Sequence, residues 1–314
     1  EFTLTNIVDI CILIGPNSSG KSNILEALHL FFEEFDAQIS RNIGRITDYL
    51  WYKRESTEPI SIKVAIKLSK EEVEGFLPIE NLDLDVKDEN LLTITRRIVG
   101  PSSSASWETY SLVFNNKSII SEGELSYKEL ESESTKEEQP ATQEELLGRI
   151  LSLVSEGLKG RFKIIPAARN NISSTREIGQ RAPLIPPDSL SKISNLAQNI
   201  DRDINQEILW DNLERNIKET ARIEDIRVLS SGLYIKESES EVRIPVNFLG
   251  GGYQEILGLL YKLIGEDRTI FGVEEPEIHL HPMLARKLFK KLKDMAKQNQ
   301  LFIATHSTIF IDIE

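Results

Sequence analysis

The chain has 314 residues, is 40% hydrophobic, carries a formal charge of −13 at pH 7 and contains one cysteine. That length allows one large domain or two modest ones with ample core. No apolar run nears the ~20 residues of a membrane span and a lone cysteine cannot build a disulfide scaffold, so a cytoplasmic protein with no membrane association is expected. The negative balance argues against a surface that coats nucleic acid broadly. Its distribution is uneven, because residues 121–145 hold nine glutamates against Lys128 and Lys136.

Residues 1–14 read as two strands with a turn near Asn6. The second, 8–14 (VDICILI), is apolar and β-branched, as a strand buried on both faces of a parallel sheet should be, with Cys11 as a small core hydrophobe. Gly15, Pro16, Asn17, Ser18, Ser19, Gly20, Lys21 and Ser22 then satisfy G-x-x-x-x-G-K-[ST], and residues 23–32, beginning at Asn23, show apolar side chains at helical spacing. Strand, glycine-rich loop and helix are the context a phosphate-binding loop requires. Its backbone N–H groups form an anion nest, and the helix adds its positive end. Lys21 would sit on the β- and γ-phosphates of ATP and Ser22 would offer its hydroxyl to Mg²⁺.

Residues 36–58 are polar with aromatics at Tyr49, Trp51 and Tyr52, and read as irregular or short-helical. Residues 60–68 alternate as a half-buried strand, and Ser69-Lys70-Glu71-Glu72 is a capping box for a short helix ending before Pro78. Residues 91–99 and 108–114 are further strands, the latter turning at Asn115-Asn116-Lys117 into 118–121, which makes an antiparallel block. The acidic stretch reads as a solvated linker. A helix over 144–158 carries Leu146, Leu147, Ile150, Leu151 and Val154 on one face, and 161–166 is a short strand. Residues 182–188, with three prolines, read as a loop. Residues 189–221 read as one or two amphipathic helices with Ile204, Ile208, Leu209, Leu213 and Ile217 on the apolar side, forming an arm or lid. Strands follow at 226–229, 233–236 and 242–246.

The last third carries more chemistry. Residues 269–275 are an apolar strand ending in Glu274 and Glu275. In a phosphate-loop ATPase the first such acid holds the Mg²⁺ water shell and the second orients the attacking water. Gly250, Gly251 and Gly252, with Tyr253 and Gln254, precede a helix over 255–264, a second anion-presenting device. Residues 301–304 are a core strand expected beside the Glu274 strand, so that His306 after it faces the γ-phosphate. His279 and His281 with Glu275 and Glu277 offer a metal-binding alternative.

These pieces resemble the ABC-type ATPase heads of the RecF, structural-maintenance-of-chromosomes and overcoming-lysogenization-defect (OLD) families. Residues 15–28 are similar to their Walker A helix, 273–282 (VEEPEIHLHP) to the Walker B and D-loop of the OLD group, and 304–307 (ATHS) to the switch-histidine motif. The resemblance implies an α/β head with a mixed or parallel core sheet, an antiparallel block and an inserted helical arm. The expected divisions are a phosphate-loop and β lobe at 1–121, a linker at 122–143, a helical insertion at 144–225 and a catalytic lobe at 226–314. It implies ATP and Mg²⁺ bound by residues 15–23 with Glu274, and catalysis by Glu275 and His306. It implies a homodimer or larger homo-oligomer in which the signature Gly250, Gly251, Gly252, Tyr253 and Gln254 of one head closes on the γ-phosphate of another. The usual signature serine is replaced by Gly250 or Gly251. Arg169, at a proline-and-arginine strand end, is a further candidate. In OLD-like proteins a Toprim nuclease domain follows the switch histidine; none is recognised in this sequence, so a nuclease would belong to another segment or partner. The expected role is an ATPase head gating a DNA-processing nuclease in anti-phage defence. A RecF-like DNA-maintenance ATPase and a nucleotide-sensing scaffold with little turnover are the alternatives.

Overall fold

A computed structural model describes residues 3–5, 7–32, 60–82, 84–99, 106–126, 142–167, 187–198, 203–229 and 232–311. In chain order the elements are β1 (Ile10–Ile14), α1 (Lys21–Phe32), β2 (Ile60–Ser69), α2 (Lys70–Val73), β3 (Glu89–Val99), β4 (Ser106–Phe114), β5 (Lys117–Ser121) and β6 (Glu124–Leu125). They continue with α3 (Gln143–Leu158), β7 (Phe162–Ile165), α4 (Pro187–Gln198), α5 (Ile204–Thr220), β8 (Ile223–Leu229), β9 (Gly232–Glu237), β10 (Arg243–Pro245), α6 (Gly251–Leu263), β11 (Ile270–Glu274), α7 (Pro282–Met295) and β12 (Gln300–Thr305). No helix among the described residues is long and apolar enough to cross a membrane. The chain forms two compact units, residues 1–26 with 162–314, and residues 27–161.

The first unit is built on a parallel sheet of order β1-β12-β11-β7. β12 lies inside it, and Leu301, Phe302, Ile303, Ala304 and Thr305 are all buried. β1 lies at the edge of the described sheet. Only Leu13 is buried there; Ile10, Cys11 and Ile12 are half-buried and Ile14 is 39% exposed. The expectation of a strand covered on both faces therefore fails, because composition reports apolarity and not sheet position. Partial burial pushes the Cys11 thiol pKa up. The strand expected near residues 3–5 is also missing among the described residues.

One core cluster joins this sheet to α4–α7 and to an antiparallel sheet β10-β9-β8. The helices expected as an arm contribute Ile193, Trp210, Leu213 and Ile217 to it. On α5 the expected face was wrong at its first two positions, since Ile204 is 70% and Ile208 54% exposed. Trp210, Leu213, Ile217 and Thr220 form the buried stripe, spaced by three and four, which places Ile204 and Ile208 on the opposite side of the helix. Residues 187 and 188, expected in a loop, open α4; Pro187 at a first helical position loses no hydrogen bond.

The second unit is the expected antiparallel block, a sheet of order β2-β3-β4-β5-β6. Its β4–β5 hairpin turns on Asn115 and Asn116 at φ 45° and 70°, the left-handed pair that a two-residue turn with native twist needs. The Asn115 side chain accepts from the Leu91 N–H (2.9 Å) and donates to the Asp85 carbonyl (3.0 Å), tying the turn to the neighbouring strand. Glu72 accepts from the Ser69 N–H at 3.0 Å, as the capping box requires. The stretch read as a linker from 122 keeps Glu124–Leu125 in the sheet, paired with Ser121 and Ile120. Thr142 then caps α3, exchanging hydrogen bonds with Glu145. α3 buries Ile150, Val154 and Leu158. Arg96 of β3, whose pKa burial lowers to about 10, donates to the Phe31 carbonyl near the end of α1.

Candidate functional site

Because β1, β12 and β11 are parallel neighbours, their C-terminal ends deliver three loops to one edge of the sheet, where open α/β sheets bind ligands. The phosphate loop follows β1. Ser18 (φ 62°) and Gly20 (φ 90°) take left-handed backbone, and a Cβ at Gly15 would stand 2.9 Å from Ser19 Oγ. This curls residues 15–20 around the first turn of α1. Lys21 is buried to 9% exposure, and its Nζ donates to the Gly15 (2.8 Å) and Pro16 (2.9 Å) carbonyls. The ammonium is thus already inside the cradle.

At the end of β11 the Glu275 N–H donates to the Ala304 carbonyl (2.7 Å), extending the ladder by one residue, and Glu275 then turns the chain at φ 43°. Glu274 Oε2 accepts from the Ala167 N–H at 3.4 Å. At the end of β12, His306 Nδ1 lies 2.7 Å from the Gly15 carbonyl and Nε2 lies 3.1 Å from Glu275 Oε1. Nδ1 also lies 3.4 Å from Lys21 Nζ, so which of these contacts are hydrogen bonds depends on the tautomer of the ring. The histidine therefore bridges the glycine-rich loop after β1 and the second acid at the end of β11.

The cleft between these loops has a volume of ≈ 520 Å³ and is lined by residues 17–23, Ala167, Glu274, Glu275, Ala304 and His306. That size suits a small-molecule ligand. Of the residues singled out in the sequence, Asn17 to Asn23, Glu274, Glu275 and His306 converge here. Arg169 lies outside the described residues. Gly250 to Gln254 do not line the cleft. Their helix also starts earlier than expected, since α6 begins at Gly251 with Gly250 as N-cap. Gly252 packs closely on a distant turn, since a Cβ there would stand 2.9 Å from the His279 carbonyl oxygen. Gln254 is buried, and its Nε2 donates to the Leu249 carbonyl (3.0 Å).

The metal alternative gains no geometry. His281 caps α7 by accepting from the Met283 N–H, and Glu277 accepts from the Thr305 hydroxyl and the His306 N–H. No group of three or more His, Cys, Asp or Glu among the described residues is arranged to hold a metal ion. His279 Nδ1 lies 3.7 Å from Glu255 Oε1, beyond a hydrogen bond. Burial pushes the Glu255 carboxyl up to about 7, against a smaller lowering by Lys262. An acid with a raised folded pKa contributes stability that is full below its ordinary 4.5 and lost as pH rises through about 7. The melting temperature should accordingly fall between pH 5 and pH 8, and Glu255→Gln should flatten that fall; a variant with an unchanged slope would remove Glu255 as its source.

Two features escaped sequence reasoning. Ala167 acts through its backbone and leaves no side-chain signal. The other is the exposed face of α7, where Arg286, Lys287, Lys290 and Lys293 stand at helical spacing on a chain of charge −13. The signal was a basic run, masked by the net charge.

A model of the AAA ATPase domain family matches residues 3–311. An ATP/GTP phosphatase of Helicobacter pylori is 22% identical over 320 residues, 96% of this chain and 80% of that protein. An OLD nuclease of Thermus scotoductus is 33% identical over 89 residues, 26% of this chain and 17% of that protein. A solved Smc head bound to the C-winged helix domain of ScpA superposes with a TM-score of 0.54 at 16% identity, over 97% of this chain and 85% of that one. At that identity the likeness is one of fold.

Proposed function

Since this chain belongs to the AAA ATPase domain family, we propose that it binds and hydrolyses ATP in the cleft at the ends of β1, β11 and β12. Its ATP-dependent pairing with a second copy would gate a DNA-processing nuclease in cytoplasmic defence against phage or other foreign DNA. The observation that carries the enzymatic part is the His306 bridge, 2.7 Å to the phosphate loop and 3.1 Å to Glu275.

The cradle fits a polyphosphate on its own geometry. Left-handed Ser18 and Gly20 curl the loop so that its backbone N–H groups would serve the phosphates, and the Lys21 ammonium would add the compensating charge. Ser22, exposed in the first turn of α1, and Glu274 line the same cleft and are the residues that would hold Mg²⁺. When bound, that ion neutralises charge developing on the phosphates. Glu275 takes the proton of the attacking water, and His306 fixes the Glu275 carboxylate by its Nε2 contact. The nuclease-gating role rests on the wording of residues 273–282 and on the local match to the Thermus OLD nuclease. The basic face of α7 favours DNA as the macromolecular ligand, and keeps a DNA-maintenance ATPase without a nuclease as the second reading.

Glu275→Gln is the direct test. ATP binding should persist while turnover drops about 10²-fold or more, the scale of a lost general base. Wild-type turnover in that variant would take Glu275 out of the chemistry.

A further inference from the structure

The turn after β11 holds a carboxylate that neither the phosphate loop nor the paired acids require. Glu277 Oε1 accepts from Thr305 Oγ1 at 2.5 Å and from the His306 N–H at 3.2 Å. Thr305 is fully buried, and its hydroxyl oxygen also accepts from the Ser307 N–H at 2.9 Å. One carboxylate oxygen therefore holds residues 305 and 306 directly, and 307 through the Thr305 hydroxyl. The turn that presents Glu277 is itself closed, with the Ile278 N–H on the Glu275 carbonyl and the Leu280 N–H on the Glu277 carbonyl, both at 3.0 Å. Ile278 is buried beneath it. Glu277 Oε2 is shielded and has no hydrogen-bond partner among the described residues. A shielded oxygen without a partner is unfavourable, so packing alone does not account for a carboxylate here.

We propose that Glu277 is a positioning residue for His306. Through the Thr305 hydroxyl and the His306 N–H it fixes the backbone from which the imidazole reaches Gly15 and Glu275. It acts as a hydrogen-bond acceptor, and its charge is not used. The proposal rests on the ATPase reading above for its effect on turnover, and stands apart from it for its effect on the imidazole.

Three variants of the full chain separate these roles. Glu277→Gln keeps an oxygen that can accept both hydrogen bonds, so kcat should stay within about 3-fold of wild type. Glu277→Leu removes the acceptor, and kcat should fall about 10- to 100-fold with the KM for Mg·ATP held within about 2-fold, as for an interaction used in the transition state. Thr305→Val, near-isosteric, should fall in the same direction, and the double variant should lose less than the two single effects combined, since both break one network. The chain has four histidines, so the His306 imidazole signal can be assigned by NMR in isotope-labelled protein. It should shift in Glu277→Leu and Thr305→Val before any nucleotide is added, and hold in Glu277→Gln. If Glu277→Leu does not fold, Thr305→Val carries the same comparison. Glu277→Gln as damaged as Glu277→Leu would show that the charge is used and overturn the proposal. So would a rise in KM at constant kcat, or an imidazole signal that ignores both Glu277→Leu and Thr305→Val. A wild-type chain that neither binds nor turns over ATP would instead strike the ATPase reading, leaving the imidazole shift to decide on Glu277.

Discussion

Lys21→Ala should remove measurable Mg·ATP binding from a chain that still folds. Lys21 begins α1 and its ammonium sits inside the loop, donating to two carbonyls of residues 15 and 16 at 2.8 and 2.9 Å. A phosphate entering the cleft meets that charge with little competing water, because the side chain is 9% exposed. Hydrogen bonds to charged groups contribute roughly 1.5–3 kcal/mol each, so contacts to two phosphates amount to roughly 3–6 kcal/mol, less what is spent in leaving the carbonyls. A loss of about 10²- to 10³-fold in affinity follows, enough to push binding out of a calorimetric titration. The fold should tolerate the change, since α1 is anchored by Leu25, Leu30, Phe31 and Phe32, all at or below 3% exposure. Unchanged affinity in Lys21→Ala would mean that the cleft is not where the nucleotide binds.

Much of that site is legible in the sequence because its logic is local. The phosphate loop declares itself through glycine and lysine spacing between an apolar strand and a helical repeat, and Glu274, Glu275 and His306 each end an apolar run. The hairpin at Asn115-Asn116 and the Ser69 to Glu72 box are legible for the same reason: the residues that make the turn or cap are adjacent in the chain. What depends on a distant neighbour is not. The edge position of β1 depends on which strands pair beside it. The buried face of α5 is chosen by the α6 and α7 packing, which prefers Trp210 over Ile204 even though isoleucine is the more apolar side chain. The need for glycine at 252 depends on the His279 carbonyl, 27 positions later, pressing against it. The metal-binding alternative for Glu277 rested on two histidines nearby in sequence; in space those side chains go to a helix cap and to the side of Glu255.

For a test of assembly, the structure selects which glycine to change. Gly252 is needed inside one chain, so altering it would confound folding with function. Gly250 is not. Its φ of −57° and ψ of 146° suit any residue, and an added Cβ meets nothing within 4 Å. Aspartate is moreover a favoured N-cap, so Gly250→Asp should fold at least as well as wild type and bind ATP normally. If α6 of one head closes on the γ-phosphate held by another, the new carboxylate meets like charge at a dry interface. At about 4 Å and an effective dielectric near 20 that repulsion is ~4 kcal/mol, or roughly 10³-fold in ATP-dependent association and turnover. Lys21→Ala fails at the other half of the same composite site. Mixing the two inactive chains should therefore restore activity, because a mixed pair joins the intact cradle of Gly250→Asp to the intact α6 start of Lys21→Ala. With random pairing and independent sites, about a quarter of wild-type turnover is expected at equal amounts. Mixed pairs that form and stay inactive would argue for a self-contained site. Normal hydrolysis by Gly250→Asp alone would remove the glycine-rich helix start from the mechanism.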